Sequence, residues 1–113
     1  ELAADHLRRS LELRRGQWSP GSREISSTEV ALAAVLLALG ELDEADAMAA
    51  AALEAMHPSV MARPIVRATR VRAQILRARG QPEQARAMLD AAATRLRDAG
   101  IDPEVIAHLN IEE

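Results

Sequence analysis

The chain lacks cysteine and lysine altogether and is almost without aromatic residues. Its 113 residues contain no Phe or Tyr and a single Trp, and all 14 basic residues are Arg. Without Cys there can be neither disulfides nor thiolate metal sites. Aromatic residues favour strands and Ala favours helices, so this composition predicts closely packed helices rather than a sheet.

Long apolar segments are also missing. The apolar run at residues 30–39 is only ten residues long, too short to cross a bilayer. We therefore expect a cytoplasmic protein. A chain of this length forms one small domain, 1–113. Because the sequence opens without Met, inside an apparent helix, we expect it to be part of a larger protein.

What the sequence does contain is a repeat. Residues 23–56 and 63–96 align at an offset of forty. The matched pairs include Ile25 and Ile65, Ala33 and Ala73, Leu36 and Leu76, Gly40 and Gly80, Ala45 and Ala85, and Met48 and Met88. A period of this length is typical of helical repeat proteins, in which each unit buries its apolar face on the next.

Glycine and proline divide the chain into helices. We predict helices near 2–15, 24–39, 43–56, 64–79 and 82–99, and a short sixth helix from Asp102. Gly16, Gly40, Gly80 and Gly100 would end helices, and Ser26 with Glu29 has the pattern of a capping box. The prediction is an all-α antiparallel stack with segments 1–22, 23–62, 63–101 and 102–113.

The small residues of the two repeats resemble those of the tetratricopeptide repeat (TPR) family. The positions that carry the resemblance are Ala33, Gly40, Ala45 and Ala52, then Ala73, Gly80, Ala85 and Ala92. The long period resembles the kinesin-light-chain-like subclass found in bacterial regulators. The resemblance implies a right-handed α-solenoid whose first helices line a concave groove for a peptide or partner protein.

One helical face of the second repeat is rich in arginine. Arg67, Arg70, Gln74 and Arg77 are spaced by three, four and three residues, so they share a face. The TPR resemblance implies that this face looks into the groove. It adds Ser27, Val30, Ala34 and Leu37 from the first repeat, and Asn110 from the last segment. The open alternative is that the Arg face is simply solvated.

Charge is segregated along the chain. Residues 24–54 hold seven acids and no base, and residues 63–97 hold nine Arg against two acids. We therefore expect an acidic partner, either a peptide carboxylate or the acidic 24–54 surface of another copy, with weak homo-oligomerisation. Arg72 and Arg79 lie off the Arg face and read as ordinary surface.

The leading functional hypothesis is a protein-interaction module in a larger regulatory or scaffold protein. A structural spacer or oligomerisation segment is an alternative. A nucleic-acid-binding repeat is less favoured, because Lys and stacking aromatics are missing. We find no catalytic motif and expect no enzyme activity, cofactor, metal or membrane partner. Trp18 is expected to fill the corner between the first two helices or to serve as an exposed anchor.

Overall fold

A computed structural model describes residues 2–17 and 22–110, the last of these by its backbone alone. Within this part of the chain every regular element is helical, which confirms the all-α prediction. Trp18 lies outside the described residues. The helices are α1 (Leu2–Gln17), α2 (Arg23–Ala38), α3 (Leu42–Ala55), α4 (Pro58–Ala78), α5 (Pro82–Asp98) and α6 (Pro103–Ala107), which a 3₁₀ turn (His108–Asn110) continues.

The predicted glycine stops at the ends of α2 and α4 are confirmed. Gly40 and Gly80 have φ angles of 80° and 77°, which a residue with a Cβ rarely adopts. The N–H of Gly40 donates to the carbonyl of Leu37 at 3.0 Å, and that of Glu41 to the carbonyl of Leu36 at 2.9 Å. This pair of bonds satisfies carbonyls that the helix end would otherwise leave unpaired.

Two other boundary predictions are wrong. The N-cap of α2 is Ser22, whose Oγ accepts from the N–H of Ile25 at 3.3 Å. Ser26 and Glu29, the predicted capping box, lie inside the helix and are buried. Gly16 does not end α1, which continues through it. An interior glycine is tolerated in a helix at a modest cost in stability.

The predicted fourth helix, 64–79, is preceded by a short helical segment from Pro58, and a kink at Met61 separates the two. His57 caps the short segment by accepting from the N–H of Ser59 at 3.3 Å, and Pro58 takes the first position. Met61 has non-helical angles, φ −124° and ψ 42°. Pro64 follows three residues later, lacks an N–H and crowds the carbonyl four residues before it. Regular helix resumes after Met61, so Pro64 lies in the first turn of the longer segment, near the predicted start.

The alanines shared by the two repeats are buried between helices. Ala33, Ala45, Ala73 and Ala85 are each at most 1% exposed, as the repeat register predicts. A side chain this small lets helix axes approach closely. The repeat therefore marks true packing positions.

The buried apolar residues form two clusters. One contains residues of α1, α2 and α3, with Val71 and Ile75 from α4. The other contains Ile65 and Val66 from the first half of α4, together with residues of α3, α5 and α6 and a few from neighbouring elements. Helix α4 therefore contributes to both cores.

The even-numbered helices form a row. Helix α2 contacts α1, α3 and α4, and α4 contacts α2, α3, α5 and α6. Among the described residues, no Cα–Cα distance of 8 Å or less joins α1 to α3 or α3 to α5. The helices α2, α4 and α6 are thus drawn together on one side, while α1, α3 and α5 diverge on the other.

Candidate partner-binding surface

A cleft of about 400 Å³ lies between α2 and α4, on the side where the even-numbered helices meet. We call it the α2/α4 cleft. It contains five of the nine residues predicted for the groove. Its lining residues are Ala34, Leu37 and Ala38 from α2, and Arg67, Arg70, Val71 and Gln74 from α4.

The two walls of this cleft differ in chemistry. The α2 wall presents only apolar side chains, because the apolar run of the first repeat ends there. The α4 wall presents Arg67, Arg70 and Gln74, which the helical spacing places on one face. None of the lining residues carries a carboxylate. The cleft can therefore hold a group with an apolar side and an acidic or hydrogen-bond-accepting side.

A second cleft, of about 290 Å³, adjoins the first. It lies between α4 and α6 and shares Arg67 and Arg70 with the α2/α4 cleft. Its lining residues are Arg63, Val66, Arg67, Arg70, Val105 and His108. No described lining residue of this cleft carries a carboxylate, so the cationic surface runs along α4 from Arg63 to Arg70, about two turns.

Three of the other four predicted residues do not line the α2/α4 cleft. Val30 is only 2% exposed and belongs to the buried cluster of Ile65, so its predicted place in the groove is wrong. Ser27 is exposed but lines a different cleft, between α1 and α2. Arg77 is exposed one turn beyond the cleft. The side chain of Asn110 lies outside the described part of the chain.

Arg67 and Arg63 are available for a ligand. Both side chains are exposed, and neither makes a hydrogen bond or ion pair with the residues that the structure describes. Because these cations have no partner among the described residues, binding an acidic group would not break any ion pair seen there. In this respect Arg63 and Arg67 differ from the arginines that pair with acidic residues of α3.

Two other arginines are paired with the acidic helix α3. Arg72 Nε donates to Asp46 Oδ1 at 2.9 Å, and Arg79 forms an ion pair with Asp43. These two residues, which read as ordinary surface in the sequence, connect α3 to α4. Much of the charge segregation in the sequence is therefore balanced inside the fold. The expectation that the acidic 24–54 surface serves another copy is correspondingly weakened.

The strongest of these connections joins α1 to α3. Arg8 donates to Glu44 through two nitrogens, with Nη2–Oε1 at 2.7 Å and Nε–Oε2 at 3.0 Å. The hydrogen bond from Arg8 lowers the pKa of Glu44 below its ordinary value. Sequence reasoning missed this contact, because the two residues are far apart and lie outside any shared motif.

A buried carboxylate on α2 is paired with an arginine of α1. Glu29 is buried and accepts from Arg15 Nη2 at 3.1 Å, which ties α1 to α2. Across the described residues, no cluster of His, Asp or Glu has the arrangement of a metal site. None of the helices described there is both long and apolar enough to cross a membrane.

Comparisons with known proteins identify no family for this chain. The chain matches no family model, and no curated protein or solved structure is significantly similar to it. The TPR resemblance therefore stays a prediction from the sequence. The functional argument rests on the geometry and charge of the two clefts.

Proposed function

We propose that this chain is a protein-interaction module that binds an acidic peptide segment across the α2/α4 cleft. The observation that carries the proposal is the pairing of an apolar α2 wall with a cationic α4 wall. An extended peptide presents side chains to opposite sides. It could place an apolar residue against Leu37 and a carboxylate against Arg67.

We further propose that the helices stack as a TPR-like solenoid within a larger regulatory or scaffold protein. The row of α2, α4 and α6 supports this arrangement, because a solenoid curves toward its more closely packed helices. The clefts lie along that row. A partner would therefore bind on the concave side, where several helices contribute contacts.

Binding by such a surface is weak and salt-dependent. Arg67 is exposed, and ion pairs at exposed sites contribute only ~0.2–1 kcal/mol each. A few such ion pairs and a small apolar contact together give a dissociation constant of ~1 μM or higher. Higher salt screens the charges and reduces the affinity further.

A random peptide library displayed on phage provides the test. Selection on the wild-type chain should enrich sequences with Asp or Glu next to an apolar residue. Arg67→Glu should reduce binding of a selected, fluorescently labelled peptide by about tenfold or more, because it replaces attraction with repulsion. Arg86→Glu makes the same charge change at an exposed site on α5, outside both clefts. It should bind like wild type.

The alternatives predict different results in the same assay. A nucleic-acid-binding repeat would bind random-sequence DNA in a salt-dependent way, and that DNA would compete with the peptide. A spacer would enrich no peptide class. If selected peptides bind Arg67→Glu as tightly as wild type, the Arg face is only solvated and the proposal is wrong.

A further inference from the structure

The short helical segment at the start of α4 depends on a single residue for its hydrogen bonds. Pro58 takes the first position and has no N–H. The N–H of Ser59 donates to His57 Nδ1 at 3.3 Å. The N–H groups of Val60 and Met61 donate to the carbonyl of His57, at 3.1 and 2.9 Å. Every N–H of this first turn therefore bonds to His57, one to its ring and two to its backbone.

The contact with the ring identifies the form of the imidazole that caps the helix. A backbone N–H can only donate, so Nδ1 of His57 accepts and carries no proton. The hydroxyl oxygen of Ser59 lies 2.7 Å from the same Nδ1, and in this form of the ring its O–H donates to it. The capping ring is thus neutral, with its proton on Nε2. Protonation of Nδ1 removes the lone pair on which the cap depends.

No described carboxylate is paired with the ring of His57. From α5, Arg95 Nη2 donates to the carbonyl of Met56, directly before His57, at 3.5 Å. The positive end of the α4 dipole lies at the same place. The charged residues at this end of the elements that pack around the junction are Arg23 and Glu24 of α2, Glu54 of α3, Arg63 of α4, Arg95, Arg97 and Asp98 of α5, and Asp102 and Glu104 at the start of α6. None of them makes a hydrogen bond or an ion pair with the imidazole. A protonated ring would therefore add a positive charge close to Arg95 and to the helix N-terminus.

The kink separates this first turn from the rest of α4. Met61 has non-helical angles, so the turn is not a simple extension of the longer segment that follows. Ser59 and Val60 are exposed, whereas Pro58 is buried and Met61 packs in the core cluster that contains Ile65. A short segment with exposed hydrogen bonds opens more readily than a packed helix. The cap and two buried side chains are what hold this turn closed.

We propose that His57 is a pH-sensitive cap whose protonation opens the first turn of α4, residues 58–61, while the rest of the chain stays folded. Histidine side chains change charge between about pH 8 and pH 5. The neutral ring caps the turn, so the cap is complete near the upper end of that range and is lost as pH falls through it. Protonation removes the acceptor for the N–H of Ser59 and places a positive charge at the positive end of the helix dipole.

The opening would have a local structural effect. Met61 would lose part of its packing in the core cluster that it shares with Ile65, and the connection between α3 and α4 would become longer. The cap residues line neither the α2/α4 cleft nor the cleft between α4 and α6. The inference therefore does not depend on the peptide-binding proposal, and each can fail without the other.

Amide hydrogen exchange followed by NMR at about pH 7.5 and about pH 5 would test the proposal. Each rate is divided by the rate of an unstructured amide at the same pH. Protection of the three N–H groups of the first turn should fall about 2- to 30-fold at the lower pH, the range expected for loss of an N-cap. The amides of Leu32 and Leu36, which are buried in α2, should keep their protection.

Three variants separate the cap from other effects of acid. Asn is a good N-cap that does not titrate, so His57→Asn should protect the turn equally at both pH values. His57→Ala has no cap and should be as poorly protected at both as wild type is at the lower pH. His108→Asn changes another exposed histidine and should keep the full pH dependence of wild type.

Long-range proton–nitrogen correlation spectra of the imidazole give an independent measurement. At about pH 7.5 the ring of His57 should carry its proton on Nε2 alone. A proton on Nδ1 at that pH would overturn the proposal, and so would equal protection of the wild-type turn at both pH values. An equal loss of protection in His57→Asn, in Leu32 and Leu36, or a loss of the pH dependence in His108→Asn, would overturn it as well.

Discussion

Replacing Ala45 with Leu tests whether the forty-residue register marks the helix contacts. Ala45 is 0% exposed, and so is its repeat equivalent, Ala85. Leu adds three carbon atoms where the structure leaves no access to solvent. The neighbouring alanines Ala47 and Ala87, also equivalent to each other, are exposed in the same helices. The chain thus offers two matched pairs of buried and exposed positions.

The size of the effect follows from the packing. Adding carbons to a closely packed site forces side chains or backbone to move, which typically costs ~1–3 kcal/mol. For a domain of this size each kcal/mol lowers the melting temperature by about 4 °C. Ala45→Leu and Ala85→Leu should therefore melt about 4–12 °C below wild type. Leu and Ala differ little in helix propensity, so Ala47→Leu and Ala87→Leu should melt within about 2 °C of it.

Thermal unfolding followed by circular dichroism at 222 nm, together with urea titration, would measure these differences. The urea midpoint should fall without a change in slope, because the surface exposed on unfolding is nearly the same. Equal melting temperatures for the Ala45 and Ala47 variants would refute the reasoning. A loss at Ala45 with none at Ala85 would instead refute the equivalence of the two repeats.

Two further predictions concern glycine and pH. Gly80→Ala should destabilise the fold by about 1–2 kcal/mol, because φ is 77° there. Gly16→Ala inside α1 should instead stabilise the fold by up to about 1 kcal/mol. Urea unfolding should therefore give changes in the free energy of unfolding of opposite sign for the two variants. Because Arg8 lowers the pKa of Glu44 in the folded state, this contact stabilises above about pH 4.5 and its contribution disappears as pH falls through the lowered value. Glu44→Gln should therefore be less stable than wild type at pH 7 and equal to it in strong acid. An equal difference in the free energy of unfolding at both pH values would contradict this.

The sequence predicted the helices well where glycine or proline acts within one turn. Gly40 and Gly80 stop helices because the required φ is local to the residue itself. Pro64 lies in the first turn after the kink at Met61, near the predicted helix start. The short helical segment before the kink, capped by His57, was not predicted.

The candidate site was only partly predictable from the sequence, because it depends on how the helices pack as well as on helical spacing. Helical spacing correctly grouped Arg67, Arg70 and Gln74, because residues three or four apart share a face on any helix. It could not show that α4 covers Val30, since burial depends on how neighbouring helices cross. Ion pairs such as that of Arg8 with α3 were equally hidden, because tertiary packing brings distant residues together.

The two cores that share α4 have a consequence for how the chain folds. Every contact between described helices joins elements close in sequence, mostly neighbours or next neighbours. Such local topology favours folding within ~microseconds to milliseconds, because little loop entropy is lost before contacts form. Fraying can begin at either end, as in other linear arrays. Helix α4 contributes to both cores, so opening that reaches it affects both halves.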